Sequence, residues 1–166
     1  MKFPSVSGSN LSRKKFQLPY DFEGKLNLVF IPFQQSQQWT INTWLEFARQ
    51  LEQENQYVRA YELPTLQSMN SLSQKVINEG MRAGIPDQRL RDKVITLYTE
   101  KSAFRRSLGI PHENDVYVYL VDRSGNILWR SSGAFNAEKR QSLLHSLKQV
   151  SAPQVNTTRQ PVLELA

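Results

Sequence analysis

Cysteine is absent from the 166-residue chain. That excludes disulfides, thiolate nucleophiles and cysteine-ligated metals, and it leaves no record of the redox compartment. Histidine is scarce, with only His112 and His145, and no Asp/Glu cluster completes a metal-ligand spacing with them. The seven glycines form neither a phosphate-binding loop nor a nucleophile elbow. No apolar run approaches the roughly 20 residues that a membrane-spanning helix needs. The longest apolar segments, LNLVFIPF and VYVYLV, have the length of strands. A secretory hydrophobic region is missing from the N-terminal stretch. Nothing here implies a cofactor or a metal.

What remains is the composition of a soluble globular protein, 39% hydrophobic and 22% charged, of a size that suits one domain. The formal charge is +6. A net positive charge favours anionic partners in general, but the basic residues are scattered, as a solvated surface requires. No basic-aromatic motif of a nucleic-acid binder surrounds Tyr117 and Tyr119, which read as core residues. The first twenty residues are basic and contain serine, with no acid before Asp21. They are weakly similar to an organelle transit peptide, although Pro4 and Gly8 interrupt an amphipathic helix. The expected location is therefore the cytoplasm or a membrane periphery, with a mitochondrion or plastid as the organellar alternative.

Periodicity supplies the architecture. Residues 1–19 read as a flexible arm and 151–166 as a flexible tail, both rich in Ser, Asn, Gln, Thr and Pro, leaving 20–150 as the folded domain. Asn27 to Phe33 is apolar without alternation, the mark of a central strand covered on both faces. Ile41, Trp44, Leu45, Ala48 and Leu51 recur at helical spacing. A strand over 56–63, a helix over 66–83 and a strand over 93–100 follow, then a short helix stopped by Gly109. Residues 116–121 and 127–131 form a hairpin about the DRSGN turn, and Asn136 caps a last helix with Leu143, Leu144, Leu147 and Val150 on one stripe. Strands separated by helices imply parallel pairing, and the last hairpin adds antiparallel strands. The expected fold is α/β, a three-layer sandwich with a mixed central sheet and helices on both faces.

This element order resembles the thioredoxin-like superfamily in its peroxiredoxin branch, over roughly residues 20–150. LYTEKSAFRRSLGI is similar to that branch's strand, turn and short helix, and VYVYLVDRSGNILW to its closing hairpin. The branch's active-site pattern is Pro-x-x-x-Thr/Ser-x-x-Cys. Here Pro32 and Ser36 keep their places, and Trp39 stands where the thiol belongs. Val116 replaces the supporting Arg six residues before the hairpin Asp122. The C-terminal half also resembles the mitochondrial ATP synthase assembly factor family, through Leu97, Tyr98, Ser102, Arg105, Leu108, Gly109, Tyr117, Tyr119, Asp122, Gly125, Trp129 and Gly133. That resemblance implies help in assembling a membrane subunit of ATP synthase, with no established enzyme chemistry.

A helix N-terminus offers unpaired N–H groups and partial positive charge, which stabilise a thiolate where there is one. A serine hydroxyl is far harder to ionise and has no disulfide or sulfenic state. Peroxidase and disulfide oxidoreductase activities are therefore excluded, and the expected function is a redox-inactive binding or assembly module for a protein partner. The resemblance points to a membrane-protein subunit as that partner. The candidate binding corner is Pro32, Gln34, Gln35, Ser36, Gln37, Trp39 and Val116, with the 110–116 loop opposite. Ser36 reads as a cap or turn residue, the glutamines as a solvated loop able to hydrogen-bond an extended peptide, and Trp39 and Trp44 as packed on the sheet. Two alternatives stay open: a glutathione-transferase type of enzyme using Ser36, and an anion or acidic-membrane-surface binder drawing on the +6 charge.

Overall fold

A strand apolar on both faces must be covered on both, and that demand organises the molecule. In chain order the elements of the computed structural model, which describes residues 1–151, are β1 (Val6–Asn10), β2 (Lys15–Leu18), β3 (Leu26–Ile31), α1 (Gln38–Asn42), α2 (Leu45–Glu54), β4 (Val58–Glu62) and β5 (Thr65–Gln67). There follow α3 (Ser71–Gly84), α4 (Gln88–Lys93), β6 (Ile95–Thr99), α5 (Lys101–Leu108), β7 (Tyr117–Asp122), β8 (Ile127–Ser132) and α6 (Ala137–Ser151). Every residue of β3 is buried. It pairs parallel with β4 and antiparallel with β7, which pairs antiparallel with β8, so the central sheet runs β4-β3-β7-β8.

One face of this sheet carries Leu28, Phe30, Val118 and Leu120, packed against Ile41 of α1, Phe47, Ala48 and Leu51 of α2, and Leu143 and Leu147 of α6. Each such side chain, fully buried, contributes roughly 1.5–3 kcal/mol. Trp44, between α1 and α2, is completely buried at the centre of this layer. Its ring meets Phe135 edge-on at 5.1 Å, and its Nε1–H donates to the Gly133 carbonyl at 2.9 Å, which satisfies the indole's one polar group. The opposite face, through Val29, Ile31, Tyr119 and Val121, packs on Phe104 and Leu108 of α5 and on side chains of a second sheet.

That second sheet departs from the expected architecture. Its order is β2-β1-β6-β5, so β6 lies there and not in the central sheet; one parallel bridge, Glu62–Val94, joins the two. The stretch expected as a flexible N-terminal arm forms β1 and β2. Phe16 and Leu18 are buried at alternate positions of β2, with exposed polar residues between them. A half-buried strand needs only every second residue to be apolar, so average composition concealed it. The region expected as one helix over 66–83 divides into β5 and a helix starting at Ser71, where Asn70 Oδ1 accepts the Ser73 N–H at 2.8 Å. The additional helix α4 starts at a second such cap, with Asp87 Oδ1 accepting the Arg89 N–H at 2.9 Å.

The first helix is interrupted at Thr43–Trp44. There Trp44 N–H reaches only to the Ile41 carbonyl, and Thr43 Oγ1 takes the Thr40 carbonyl at 2.6 Å, which tightens the turn. Gly109 (φ 65°) ends α5 and Gly125 (φ 85°) turns the β7–β8 hairpin, both in the left-handed region where a Cβ is costly. Tyr117 and Tyr119 are core residues, as expected. The expected C-terminal tail lies outside the described residues beyond Ser151.

Candidate functional site

The candidate corner begins where β3 leaves the sheet. Pro32 is buried, and its carbonyl accepts the Thr65 N–H at 3.0 Å, tying the corner to β5. A single 3-10 turn, Gln35–Gln37, then leads into α1. The four glutamines expected as one solvated cluster part here. Gln34, Gln35 and Gln38 are exposed, while Gln37 is buried. Gln37 Oε1 accepts the N–H of Phe33 at 2.7 Å and of Gln34 at 3.1 Å. Gln37 Nε2 donates to the Glu113 carbonyl at 2.7 Å, which Gln34 Nε2 also reaches at 3.1 Å. Lys101 holds the Glu113 carboxylate at 3.0 Å, fixing the same loop to α5.

One side chain therefore satisfies the N–H groups of Phe33 and Gln34, just before the turn, and ties them to the 110–116 loop. Ser36 is exposed on the turn and is not its cap; the turn is closed by the Gln34–Gln37 pair instead. Among the described residues neither histidine hydrogen-bonds Ser36: His112 Nδ1 lies against Tyr117 Oη at 3.2 Å and His145 Nε2 against Gln149 at 3.0 Å. Val116 is fully buried among the residues under α6, so it shapes the corner from beneath and offers no surface.

Trp39 reverses its expectation. It does not pack on the sheet but stands 81% exposed, and Trp44 alone fills the core position. Residues 37, 41, 44, 48 and 51 share the buried stripe, and 39 falls off it. Extending the helical period backward from Ile41 lands on Gln37, and that was the signal available in the sequence for its burial.

Beside Gln38, at the end of β4, Glu62 is half-buried. Burial lifts its carboxyl above the ordinary carboxylate range, and the Gln38 side chain acts in the opposite direction. Two core tyrosines of the central sheet, Tyr61 beside Glu62 on β4 and Tyr119 on β7, behave alike. Burial pushes Tyr61 and Tyr119 to about 12, while Tyr119 Oη donates to the Leu108 carbonyl at 3.0 Å. Among the described residues no group of three or more His, Asp or Glu side chains converges to hold a metal, and no helix is long and apolar enough to cross a membrane.

The sequence model of the ATP10 protein family matches residues 1–150. The chain belongs to the ATP10 family. Among curated proteins none matches significantly in sequence. Solved structures share the thioredoxin-like fold at low identity. Arabidopsis thaliana ScoI with copper bound is 11% identical, with a TM-score of 0.61 over 90% of this chain and 99% of that one. BsSco, a member of the Sco family of cytochrome c oxidase assembly proteins, is 14% identical, with a TM-score of 0.57 over 92% and 95%. The exposed lipoprotein thioredoxin Etrx1 from Streptococcus pneumoniae strain TIGR4 is 12% identical, with a TM-score of 0.56 over 88% and 99%. These likenesses show the fold. This ATP10-family chain is thus a cysteine-free thioredoxin-like protein of an assembly-factor family, as the resemblance of its C-terminal half implied.

Proposed function

We propose that this ATP10-family protein is a redox-inactive assembly module that binds a protein partner at its former catalytic corner, the partner being a membrane-complex subunit such as one of ATP synthase. The observation that carries the reading is Trp39. A rigid indole, 81% exposed, projects from the helix entrance, and Gln37 satisfies the Phe33 and Gln34 N–H groups of the segment leading into it. An exposed Trp on a fixed rim brings a large contact area at small entropic cost, which is why such residues anchor interfaces. Gln34, Gln35 and Ser36 border it with neutral hydrogen-bonding groups suited to an extended chain. The family and the Sco likeness, one of whose members is described as an assembly protein, support a role in assembly over one in catalysis. The family also supports a mitochondrial setting.

The test compares the full chain with a Trp39→Ala, Ser36→Ala double variant in capture from detergent-solubilised mitochondrial membranes. ATP synthase subunits should be retained by the first and lost by the second, with circular dichroism unchanged. If the double variant keeps every partner, the corner is not the binding site. Hydrogen peroxide turnover by the purified protein would refute redox inactivity.

A further inference from the structure

A second surface lies at the other side of the central sheet. β8 is a terminal strand, and its outer edge is occupied at both ends. At one end the Ile127 N–H donates to the Met1 carbonyl at 3.2 Å, and Lys2 bridges Asn126 in antiparallel fashion. At the other, Lys139 Nζ takes the carbonyls of Ser132 at 2.6 Å and Ala134 at 2.7 Å. Between them Leu128–Ser131 have β7 as their only strand partner among the described residues. Unpaired strand edges are templates for another extended chain. Here Met1–Lys2 has already begun such a pairing, which leaves a short open window continuous with it.

Two clefts open along this window and share Trp129 and Arg130. One, of about 290 Å³, faces α6 at Asn136, Glu138, Lys139 and Ser142, so it holds one carboxylate beside two cations; the other, of about 320 Å³, faces Met1 and Ile127 and holds no carboxylate. Trp129 opposes Leu120 and Arg130 opposes Tyr119 across the β7–β8 register, so the two point to opposite faces. Arg130 is exposed, and neither it nor Lys2 pairs with a carboxylate among the described residues. We propose that the Leu128–Ser131 edge receives, by strand addition, an extended acidic segment of a partner protein. Alternate side chains of that segment meet the Trp129 indole and the Arg130 guanidinium, and the acidic ones match the two uncompensated cations. A second copy of this chain paired edge to edge would bring like charges together, which disfavours self-association.

The probe is a short capped peptide alternating valine with glutamate, added at millimolar concentration to the full-length protein and read by amide hydrogen exchange. Exchange should slow at the Arg130 amide, which the antiparallel alternation turns to the outer edge, while the Trp129 and Ser131 amides, already directed at β7, should change little. Arg130→Glu should weaken binding roughly 3- to 10-fold, the effect of turning an attractive cross-strand pair into a repulsive one. A peptide with lysine in place of glutamate should bind the natural protein more weakly, a comparison that needs no variant. Several outcomes would overturn the proposal. They are slowing at Gln34–Trp39 and not at β8, equal binding of the two peptides, and concentration-dependent dimerisation through this edge. Protection of the Arg130 amide without peptide at every protein concentration would also do so, because it would assign the edge to residues 152–166 of the chain itself.

Discussion

Replacing Gln37 with alanine removes three hydrogen bonds at one stroke. Their consequences differ with the environment of each partner. The Phe33 N–H is half-buried and loses its 2.7 Å acceptor, a loss of about 1–2 kcal/mol for a donor left without a partner. The Gln34 N–H belongs to an exposed residue and can turn to water, so its loss is about 0.5 kcal/mol. The Glu113 carbonyl keeps its second donor, Gln34 Nε2 at 3.1 Å, and adds a similar small amount. The expected destabilisation is therefore about 2–3 kcal/mol, a fall in Tm of roughly 5–10 °C for a domain of this size. Thermal unfolding followed by circular dichroism measures it, and faster hydrogen exchange of the Phe33 amide locates it. Gln35→Ala is the control: that side chain is exposed and makes no side-chain hydrogen bond to the corner, so its effect should stay within about 0.5 kcal/mol. Equal losses in the two variants, or a Gln37→Ala melt indistinguishable from the natural protein, would refute the assignment of Gln37 as the pin between helix entrance and loop.

The tryptophans should separate just as clearly. Trp44→Ala empties a completely buried site and should lose about 3–5 kcal/mol, whereas Trp39→Ala should lie within about 0.5 kcal/mol of the natural protein in denaturant unfolding; a large loss from Trp39→Ala would contradict its exposure. Glu62 sets a pH dependence. Its folded-state affinity for a proton exceeds the unfolded one, so its contribution is fully present below the ordinary carboxylate pKa and is lost as pH rises through the raised folded value. Glu62→Gln should therefore gain stability relative to the natural protein as pH rises above the ordinary carboxylate pKa, and superimposable stability–pH curves would exclude the effect.

How much of the site was legible follows from what each signal encodes. The helical stripe from Ile41 to Leu51 was plain, because burial of one helix face imposes a period that survives in any sequence. Its extension to Gln37 was not read, since a glutamine is buried only when its amide finds partners, and the decisive one, the Glu113 carbonyl, lies 76 residues along the chain. Trp39 was assigned to the core on residue type. Its spacing said otherwise, and a large aromatic outside the stripe is better read as a surface anchor than as core.

Local chemistry alone determined the lack of a thiolate, because no arrangement of a chain without cysteine supplies one, and also the hairpin at Gly125 and the helix stop at Gly109, which are set within a few residues by backbone sterics. Tertiary structure decided that the N-terminal segment is sheet, that β6 leaves the central sheet for it, and that β8 has β7 as its only strand partner among the described residues between the Met1 and Lys139 contacts. Those outcomes depend on pairings between residues far apart in the chain, such as Gly8 with Leu97, whose free energy is realised only once both strands share a core.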